Sequence, residues 1–578
     1  MNEVLREVSD DEGADEELIG PVRDEEEPRD WRSVTGRRVA SEDERRASEG
    51  RTLFDDNRPR PGPQRVWSSN DPYDFFKSMF TDSVIDLMVT ETNRYADQIH
   101  SACEMAPHAR LRDFKPTNRA EMETYLGIQV SMGLIKKPQI TDYWSTNKNN
   151  LGWTPNYSRT MSRNRFQMIT ACLHFNNNRK RVERDQPGYD PLFKVRPLLD
   201  QVSSNFSSEY YPHEQLSIDE SMVSFRGRIF FRQYIPSKRH RFGIKNFVLT
   251  DASTNYTYIW DVYTGGAYTY NRETGIGHST VMTLMNHGNL LGKGHTVYTD
   301  NFYTSPALYK ALHAQNTGAC GTVRVNRRGM PPGLRNLKLK PTEPPVFFES
   351  FPLLAASFRD AGIVTVLSTV NDNAVISKRV SSKGPDGHRV LKKPKAVEDY
   401  YRYMGGVDRA DQLCSYYAYQ HRVMKWYHRL YHHIKEVALV NAYILYKESG
   451  NTMPAAVFRD KVVEGLLRKQ RATQSPPPMP LVEMTAVPAR LVGRHFLRNR
   501  GQTVLYARPE NEAQKMEGKG ESRHPTSARH AQTIQHSAPL TVSRSTTPSL
   551  CTDSNSRSHT DLQRSLTKHW RVQCQSQL

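Results

Sequence analysis

The sequence predicts an α/β protein in which a mixed sheet carries the functional residues and a mostly helical region flanks it. Three observations predict this class. Strand-like and helical segments alternate from about residue 215 to 325, apolar residues recur at helical spacing over about 71–200, and polar stretches bound both ends. The two spacings separate strands from helices because side chains alternate in a strand and recur every 3.6 residues in a helix.

Charge is distributed very unevenly along the 578 residues. Residues 1–56 hold 19 Asp and Glu and 9 Arg, a net charge of −10, so a chain of net charge +18 leaves +28 for the remainder. So basic a body attracts polyanions, and counterion release makes nucleic acid its natural partner. A solvated basic surface with no such partner is the alternative.

Cysteine content and hydropathy exclude several classes of protein. None of the six cysteines forms a C-x-x-C pair, which argues against a disulfide scaffold and against a self-contained zinc finger. The chain shows no apolar signal segment, and its longest apolar runs are too short to span a bilayer. We therefore expect a soluble intracellular protein.

Both ends of the chain have the composition of disordered segments. Residues 1–68 are acidic and arginine-containing, and 474–578 are dominated by Ser, Thr, Pro, Gln and Arg. Neither segment has enough apolar surface to offset the entropy of an ordered chain. Between them, 69–200 is predicted to be helical, with helices at Phe75–Ala96, Tyr125–Leu134 and Arg163–Leu173.

The central segment, 201–325, follows the order β-β-β-α-β-α-β. Its predicted strands and helices are, in order, Leu216–Arg226, Phe242–Thr250, Tyr256–Tyr263, Ser279–Leu290, His295–Thr299, Ser305–Gln315 and Gly318–Val325. This order is that of an RNase H-like core. Residues 326–395, rich in Pro, Gly and Lys with short β-type runs, are predicted to be a β-rich insertion. Residues 396–425 complete the core, and 426–473 return to helix, beginning with a long helix predicted at Trp426–Glu448.

Aspartates stand at three points where these elements end or begin. The segments are Leu216–Glu220, Val297–Asn301 and Gly405–Asp411. Asp219 and Asp300 on neighbouring strands are expected to project side by side, with Asp408 completing the cluster and Asp411 assisting from the same helix. Carboxylates in this arrangement suit a pair of Mg²⁺ ions. Glu220 is less attractive because adjacent strand residues point to opposite faces.

Each aspartate also has a purely structural interpretation. An aspartate before asparagine, as at Asp300, is usually a turn or a helix cap. The sequence Gly405-Gly-Val-Asp408 taken alone is typical of a helix N-terminus, where a carboxylate stabilises the dipole. Their joint placement in the predicted fold favours the catalytic interpretation.

The same segments closely resemble the conserved blocks of piggyBac-type transposases. The stretches Ser217–Arg228 and Tyr234–Lys238 are similar to the first block, Thr299–Ser305 to the second, and Gly405–Leu413 to the third. Residues Phe80–Ala96 match the helical N-terminal region of that family. The resemblance runs in order from about 70 to 450.

This resemblance implies a DDE/D transposase that cuts and pastes DNA. A nicked end would close into a hairpin, reopen and join a TTAA target, with Asp219, Asp300, Asp408 and Asp411 holding two Mg²⁺ ions, for which Mn²⁺ could substitute. It further implies a nuclear protein acting on double-stranded DNA as a homodimer. The helical regions, 69–200 and 426–473, would then serve DNA binding and dimerisation.

Several residues are expected to contact DNA. The resemblance assigns Asn301 to the DNA at the active centre and Trp426 to stacking on a distorted base, although core packing explains Trp426 equally well. Basic residues near the first block are expected to grip phosphates, unless they merely form a solvated strand face. These are Arg226, Arg228, Arg232, Lys238, Arg239, Arg241 and Lys245. Two short clusters, Arg179–Arg181 and Lys392–Lys395, are candidate nuclear-import signals.

The C-terminal tail departs from the family pattern. The run Pro488–Phe496 resembles the segment that leads into a zinc-binding domain, but only Cys551 and Cys574 follow it, too few for such a site. No zinc is therefore expected. Three alternatives remain open: a competent transposase, a domesticated DNA- or chromatin-binding derivative that no longer transposes, and an unrelated metal-dependent nuclease.

Overall fold

The computed structural model describes residues 31–34, 59–102, 105, 108–149, 152–236, 241–340, 343–360, 362–381 and 388–473. The predicted disordered tail, 474–578, lies outside these residues, as do Lys238 and Arg239. All the described residues belong to one compact unit.

The described residues form fourteen strands. They are β1 Arg32–Val34, β2 Gly62–Pro63, β3 Tyr210–Tyr211, β4 Gln215–Ser224, β5 Gln233–Tyr234, β6 Phe242–Asp251, β7 Thr257–Val262, β8 Thr296–Thr299, β9 Gly318–Thr322, β10 Val346–Ser350, β11 Leu353–Arg359, β12 Ile363–Ser368, β13 Val375–Ser381 and β14 His388–Pro394.

The same part of the chain contains twelve α-helices. They are α1 Pro72–Met79, α2 Asp82–Ala102, α3 Arg119–Leu134, α4 Pro155–Thr160, α5 Arg163–Cys172, α6 Arg196–Glu209, α7 Gly275–His287, α8 Pro306–Ala314, α9 Lys395–Tyr403, α10 Gly406–Tyr416, α11 Trp426–Glu448 and α12 Ala455–Thr473.

One mixed sheet organises the molecule, and it confirms the predicted α/β class. Its strand order is β1-β10-β11-β12-β9-β8-β4-β6-β5, with β7 paired to β6 as well. Strands β4, β8 and β9 run parallel to one another, and β4, β6 and β7 pair antiparallel. With α7 before β8 and α8 before β9, the chain follows the predicted order β-β-β-α-β-α-β.

The region expected to be a β-rich insertion contributes mainly to this same sheet. Strand β12 pairs antiparallel with β9, and β11 and β10 follow it outward. The sequence could not reveal this continuation, since strand pairing across a sheet is a long-range property. Only β13 and β14 form a separate two-stranded ribbon.

A short edge strand falls within the segment for which the sequence predicts disorder. Strand β1 pairs with β10, and the indole Nε1 of Trp31 donates a hydrogen bond to the Gly329 carbonyl oxygen at 2.9 Å. A single large aromatic residue beside an open sheet edge is enough to order a few residues, because the edge supplies the backbone hydrogen-bond partners.

The helical region packs against the sheet through the long helix α11. Most of its side chains are buried around the whole circumference, as expected for a helix with neighbours on every side. The amide of Asn441, which is fully buried, both accepts a hydrogen bond from the Thr257 backbone N–H (3.0 Å) and donates one to its carbonyl oxygen (2.8 Å). The Asn441 amide therefore satisfies both backbone groups of Thr257, as a neighbouring strand would do.

Close approach between helices fixes their arrangement. A Cβ added to Gly127 on α3 would lie 3.2 Å from both Leu466 and Leu467, so this glycine lets α12 approach closely. Helix α1 begins with Asp71 as its N-cap, whose carboxylate accepts from the Tyr73 N–H, and with Pro72 in the first turn. Its Phe75 and Phe76 are completely buried.

Candidate active site

The site lies where the pairing of two parallel strands stops, at the carboxyl end of β8 and beside the middle of β4. The register of β4 and β8 ends with Ile218 opposite Thr299, so Asp219 and Asp300 each occupy the next position along their strands. The register of a parallel pair brings residues at matching positions of the two strands side by side. The structure accordingly gathers carboxylate oxygens of Asp219, Glu220 and Asp300 within 4.8 Å of one another.

Burial and like charge perturb this group strongly. Removal from water raises the pKa of Asp219 far above its usual range, and the neighbouring Glu220 and Asp300 raise it further. Burial and the charge of Glu220 likewise raise the pKa of Asp300 to about 6. Three carboxylates held together in this way repel one another, and such repulsion is what a bound cation relieves.

Asp300 combines a structural and a candidate catalytic position. Its Oδ1 accepts a hydrogen bond from the Phe302 backbone N–H at 2.9 Å, and its carbonyl oxygen accepts one from Thr304 Oγ1 at 2.7 Å. The turn interpretation of the sequence is therefore correct in its geometry. The same turn holds the carboxylate at the edge of the sheet, so the two interpretations are compatible.

Glu220 is the residue that sequence reasoning set aside and that the structure brings into the group. Strand alternation places it on the opposite face of β4 from Asp219. However, β8 ends at Thr299 and does not continue beside Glu220, and a glutamate side chain is long enough to turn toward Asp300. The adjacent pair Asp219-Glu220 was the feature of the sequence that could have indicated a role for Glu220 in this group.

Lys245 provides the counter-charge for Glu220. Its ammonium lies 3.3 Å from Glu220 Oε1 and 4.5 Å from the ring centroid of Phe302, the residue whose N–H holds Asp300. Lys245 is only 7% exposed. The structure thus places this residue, predicted to grip DNA, inside the protein beneath the carboxylates.

The third motif packs directly over the strand that carries Asp219. Ser217 and Ser221 lie on the same face of β4 as Asp219. Ser217 Oγ donates to the Met404 carbonyl oxygen at 2.5 Å, and Ser221 Oγ donates to Asp411 Oδ1 at 2.7 Å. A Cβ on Gly406 would lie 2.5 Å from Thr250 Oγ1, so only glycine permits this approach.

Asp408 is placed differently from Asp411. It lies in the first turn of α10 on the exposed side of the helix, whereas Asp411 is half-buried against β4. Asp408 is not one of the three acidic residues that the described chain gathers into a group. The catalytic and metal-binding roles of Asp408 and Asp411 stay predictions.

The remaining predicted DNA contacts divide by exposure. Asn301, Arg226, Arg228 and Arg241 are exposed, and Arg232 is half-buried. Trp426 is half-buried at the start of α11, with its ring edge-on to Phe231 at 5.5 Å between centroids. Trp426 therefore has packing partners and an open side.

The two candidate import clusters differ in the same way. Residues Arg179 to Arg181 are all exposed, in and after a short 3₁₀ turn. In the other cluster Lys393 is buried and Lys395 forms an ion pair with Asp399 at 2.8 Å. No helix of the described residues is both long enough and apolar enough to cross a bilayer.

Comparison with known proteins agrees with this geometry. The family model described as Transposase IS4 matches residues 71–443, and human PiggyBac transposable element-derived protein 3 is 30% identical over 410 residues. The chain belongs to the piggyBac-type transposase family. The alignment with human protein 3 covers 65% of this chain and 63% of that protein, so the chain spans less than two thirds of that relative.

Two further relatives support membership of the piggyBac-type family. Human PiggyBac transposable element-derived protein 2 is 26% identical over 420 residues, which cover 67% of each chain. The cryo-EM structure of a piggyBac transposase synaptic complex with hairpin DNA matches with a TM-score of 0.59 and 26% identity, covering 72% of this chain and 85% of that chain.

The three gathered carboxylates suit a divalent metal ion, on which transposases in general depend. Carboxylate oxygens are the ligands that hard divalent cations prefer. Asp219, Glu220 and Asp300 supply three of them in a half-buried group, in which Lys245 provides a counter-charge to Glu220. These three residues would hold the metal. Asp411 lies against β4, where Ser221 donates a hydrogen bond to it.

Proposed function

We propose that this chain is a DDE/D transposase that cleaves DNA strands and transfers them to TTAA sites by cut-and-paste chemistry. One observation carries the proposal: Asp219, Glu220 and Asp300 converge where β8 ends beside the middle of β4, in a chain of the piggyBac-type family. The solved relative bound to hairpin DNA supports the same substrate class.

Phosphoryl transfer requires positioning and charge stabilisation more than covalent chemistry by the protein. Two Mg²⁺ ions in the site would stabilise the attacking and leaving oxygens of the phosphodiester. Asp219, Glu220 and Asp300 would supply ligands, with Lys245 paired to Glu220 and Ser221 bonded to Asp411 over the same strand. Asp408, in the first turn of α10, would be a further ligand.

Nicking of a TTAA-containing duplex tests this function. We expect cleavage with Mg²⁺ or Mn²⁺ and none with EDTA, and a loss on the order of a hundredfold or more in D219N and in D300N. D460N is the matched control, because Asp460 is exposed on α12 and undergoes the same change of side chain. Equal cleavage by wild type and D219N would overturn the proposal.

The position of Asp408 favours a second candidate, a derived protein that binds DNA without transposing. An exposed Asp408 outside the acidic group would leave the site without its third aspartate. Such a protein would show salt-sensitive DNA binding that persists in D219N, with no cleavage in either protein. Cleavage that D408N abolishes would reject this candidate.

Dimerisation and nuclear import complete the proposal. A transposase acts on paired ends, so we expect the protein to form a homodimer, measurable by light scattering with and without DNA. The exposed Arg179–Arg181 cluster is the better import signal, since Lys393 in the other cluster is buried. Nuclear accumulation that survives replacement of all three exposed residues by glutamine would contradict this assignment.

A further inference from the structure

Two lysines converge on one tyrosine ring away from the carboxylate group. The ammonium of Lys194, just before α6, lies 5.4 Å from the ring centroid of Tyr427, and that of Lys425 lies 5.7 Å from the same centroid. Lys425 also lies 5.0 Å from the ring of Tyr95 and donates to the Ala171 carbonyl oxygen at 2.9 Å. We call these two lysines and two tyrosines the lysine pocket.

The walls of the lysine pocket are rigid and aromatic. The ring of Tyr95 stacks on the buried His174 at 3.8 Å, and His174 lies edge-on to Tyr427 at 5.1 Å. Burial, followed by the charges of Lys425 and Lys194, lowers the pKa of His174 to about 3, so this imidazole is neutral. The pocket walls therefore hold the two ammonium groups without neutralising them.

No carboxylate balances these charges within the described part of the chain. Burial lowers the pKa of Lys194, and the nearby cation Arg181 lowers it further. Burial also lowers the pKa of Lys425 to about 8; the Cys172 thiol raises it, and Lys194 lowers it. Neither lysine forms an ion pair there. Cation–π contacts compensate only part of the cost of placing two like charges together.

The local backbone adds to this positive potential. Lys425 is the N-cap residue of α11, whose 23 residues begin without an acidic side chain in the first turn. The N-terminus of a helix carries partial positive charge and favours anions. Lys425 therefore adds positive charge at a point where the helix already favours an anion.

One contact links the helix that carries Lys425 and Tyr427 to the strand that carries Asp219. Arg429, one turn into α11, donates from Nε to the Ser224 carbonyl oxygen at 3.0 Å, which ties the start of α11 to the end of β4. Asp219 and Ser224 are five residues apart on β4, roughly 17 Å at ~3.3 Å per residue.

We propose that the lysine pocket binds a backbone phosphate of DNA other than the phosphodiester that reacts at the carboxylates. The site rests on the proposed function for the identity of its ligand. Lys194 and Lys425 contact the phosphate oxygens, and the exposed Arg181 approaches the same strand. The pocket increases the affinity for DNA and fixes the register of the protein on the duplex, but it does not contribute to sequence specificity.

The salt dependence of DNA binding tests the pocket. The probe is a mixed-sequence duplex containing TTAA, with EDTA present so that cleavage does not interfere. Each lost phosphate contact reduces the slope of log K against log salt by about 0.9. We expect that reduction in K194Q and in K425Q, about twice as much in the double variant, and the wild-type slope in K194R and K425R.

K310Q is the matched control, because Lys310 is exposed on α8 and loses the same charge. Thermal unfolding confirms that each variant is folded, and K194Q alone decides the question if K425Q is not. Wild-type slopes in the folded glutamine variants overturn the pocket while leaving the proposed function intact. Absence of DNA binding by the wild-type protein overturns both.

Discussion

Ser221 Oγ donates a hydrogen bond to Asp411 Oδ1 at 2.7 Å and thereby joins two motifs that are 190 residues apart in the chain. Ser221 is two residues from Asp219 on the same face of β4, so this contact fixes where α10 lies relative to the carboxylate group. The contact at Asp411 therefore anchors the third motif to β4. The position of Asp408 is then set by the geometry of the same helix, three residues earlier.

Removal of this contact is expected to weaken catalysis without unfolding the protein. In S221A, Asp411 loses its donor, and outer-shell contacts of this kind typically affect metal affinity or activity by about 10–100-fold. We expect nicking to slow by that factor and to require more Mg²⁺. The measurement is a single-turnover nicking assay across a Mg²⁺ titration.

S279A is the control for S221A, because Ser279 Oγ lies on α7 and bonds to the Asn271 backbone. It makes the same chemical change outside the site. An S221A enzyme that matches S279A in both rate and Mg²⁺ requirement would show that Asp411 needs no positioning.

The carboxylate group makes the metal-free protein more stable as the pH falls. Burial and mutual repulsion hold the pKa values of Asp219 and Asp300 above those of the unfolded chain. The folded state therefore binds protons more readily, so these groups destabilise it at neutral pH, and that cost diminishes as pH falls through about 6.

D300N is expected to remove much of this pH dependence and to raise stability at pH 7 by about 1–2 kcal/mol, since one pKa unit corresponds to ~1.4 kcal/mol. Urea unfolding of metal-free protein between pH 5 and 8 measures both quantities, with D460N as control. Parallel pH profiles for wild type and D300N would contradict the arrangement.

Lys245 is expected to affect the carboxylates and leave DNA affinity nearly unchanged. K245Q removes the lysine counter-charge of the half-buried Glu220, and breaking a buried charge pair costs roughly 3–5 kcal/mol. We therefore expect lower stability, slower nicking and a wild-type salt slope for DNA binding. A slope reduced by about one would instead support the surface role that the sequence predicts.

R226Q and R228Q provide the comparison for K245Q. Both arginines are exposed, so each variant is expected to lower DNA affinity and the salt slope while keeping the wild-type unfolding midpoint. Unfolding and salt-dependent DNA binding together distinguish the two kinds of residue. The buried lysine is expected to affect the stability of the protein, and the surface arginines the salt slope of DNA binding.

Asn441 is expected to stabilise the attachment of the sheet to the helices. N441L leaves the N–H and C=O of Thr257 buried without partners, at about 1–3 kcal/mol for each group. Chemical unfolding measures the loss, and the nicking rate per folded molecule should be unchanged. N286L on α7 is the control; an equal loss in both variants would remove the special role of Asn441.

Local sequence patterns were sufficient for the core elements. The alternation at Leu216–Arg226 and the apolar run at Phe242–Thr250 predicted β4 and β6, and the helix predicted at Trp426–Glu448 has those bounds in the structure. These patterns succeed because each element is specified by which of its own side chains are buried. The same patterns gave no indication that β10, β11 and β12 continue the main sheet.

The sequence by itself determined the α/β class, the order of the core elements, the family and the two aspartates that meet where β8 ends beside β4. Only the tertiary structure decided that Glu220 joins them, that Lys245 lies beneath them and that Asp408 faces outward. The physical reason is distance along the chain. Strand alternation and helix periodicity fix which residues are neighbours within one element. The end of the β8 pairing and the packing of α10 against Ser217 and Ser221 depend on contacts between elements that are far apart in the sequence.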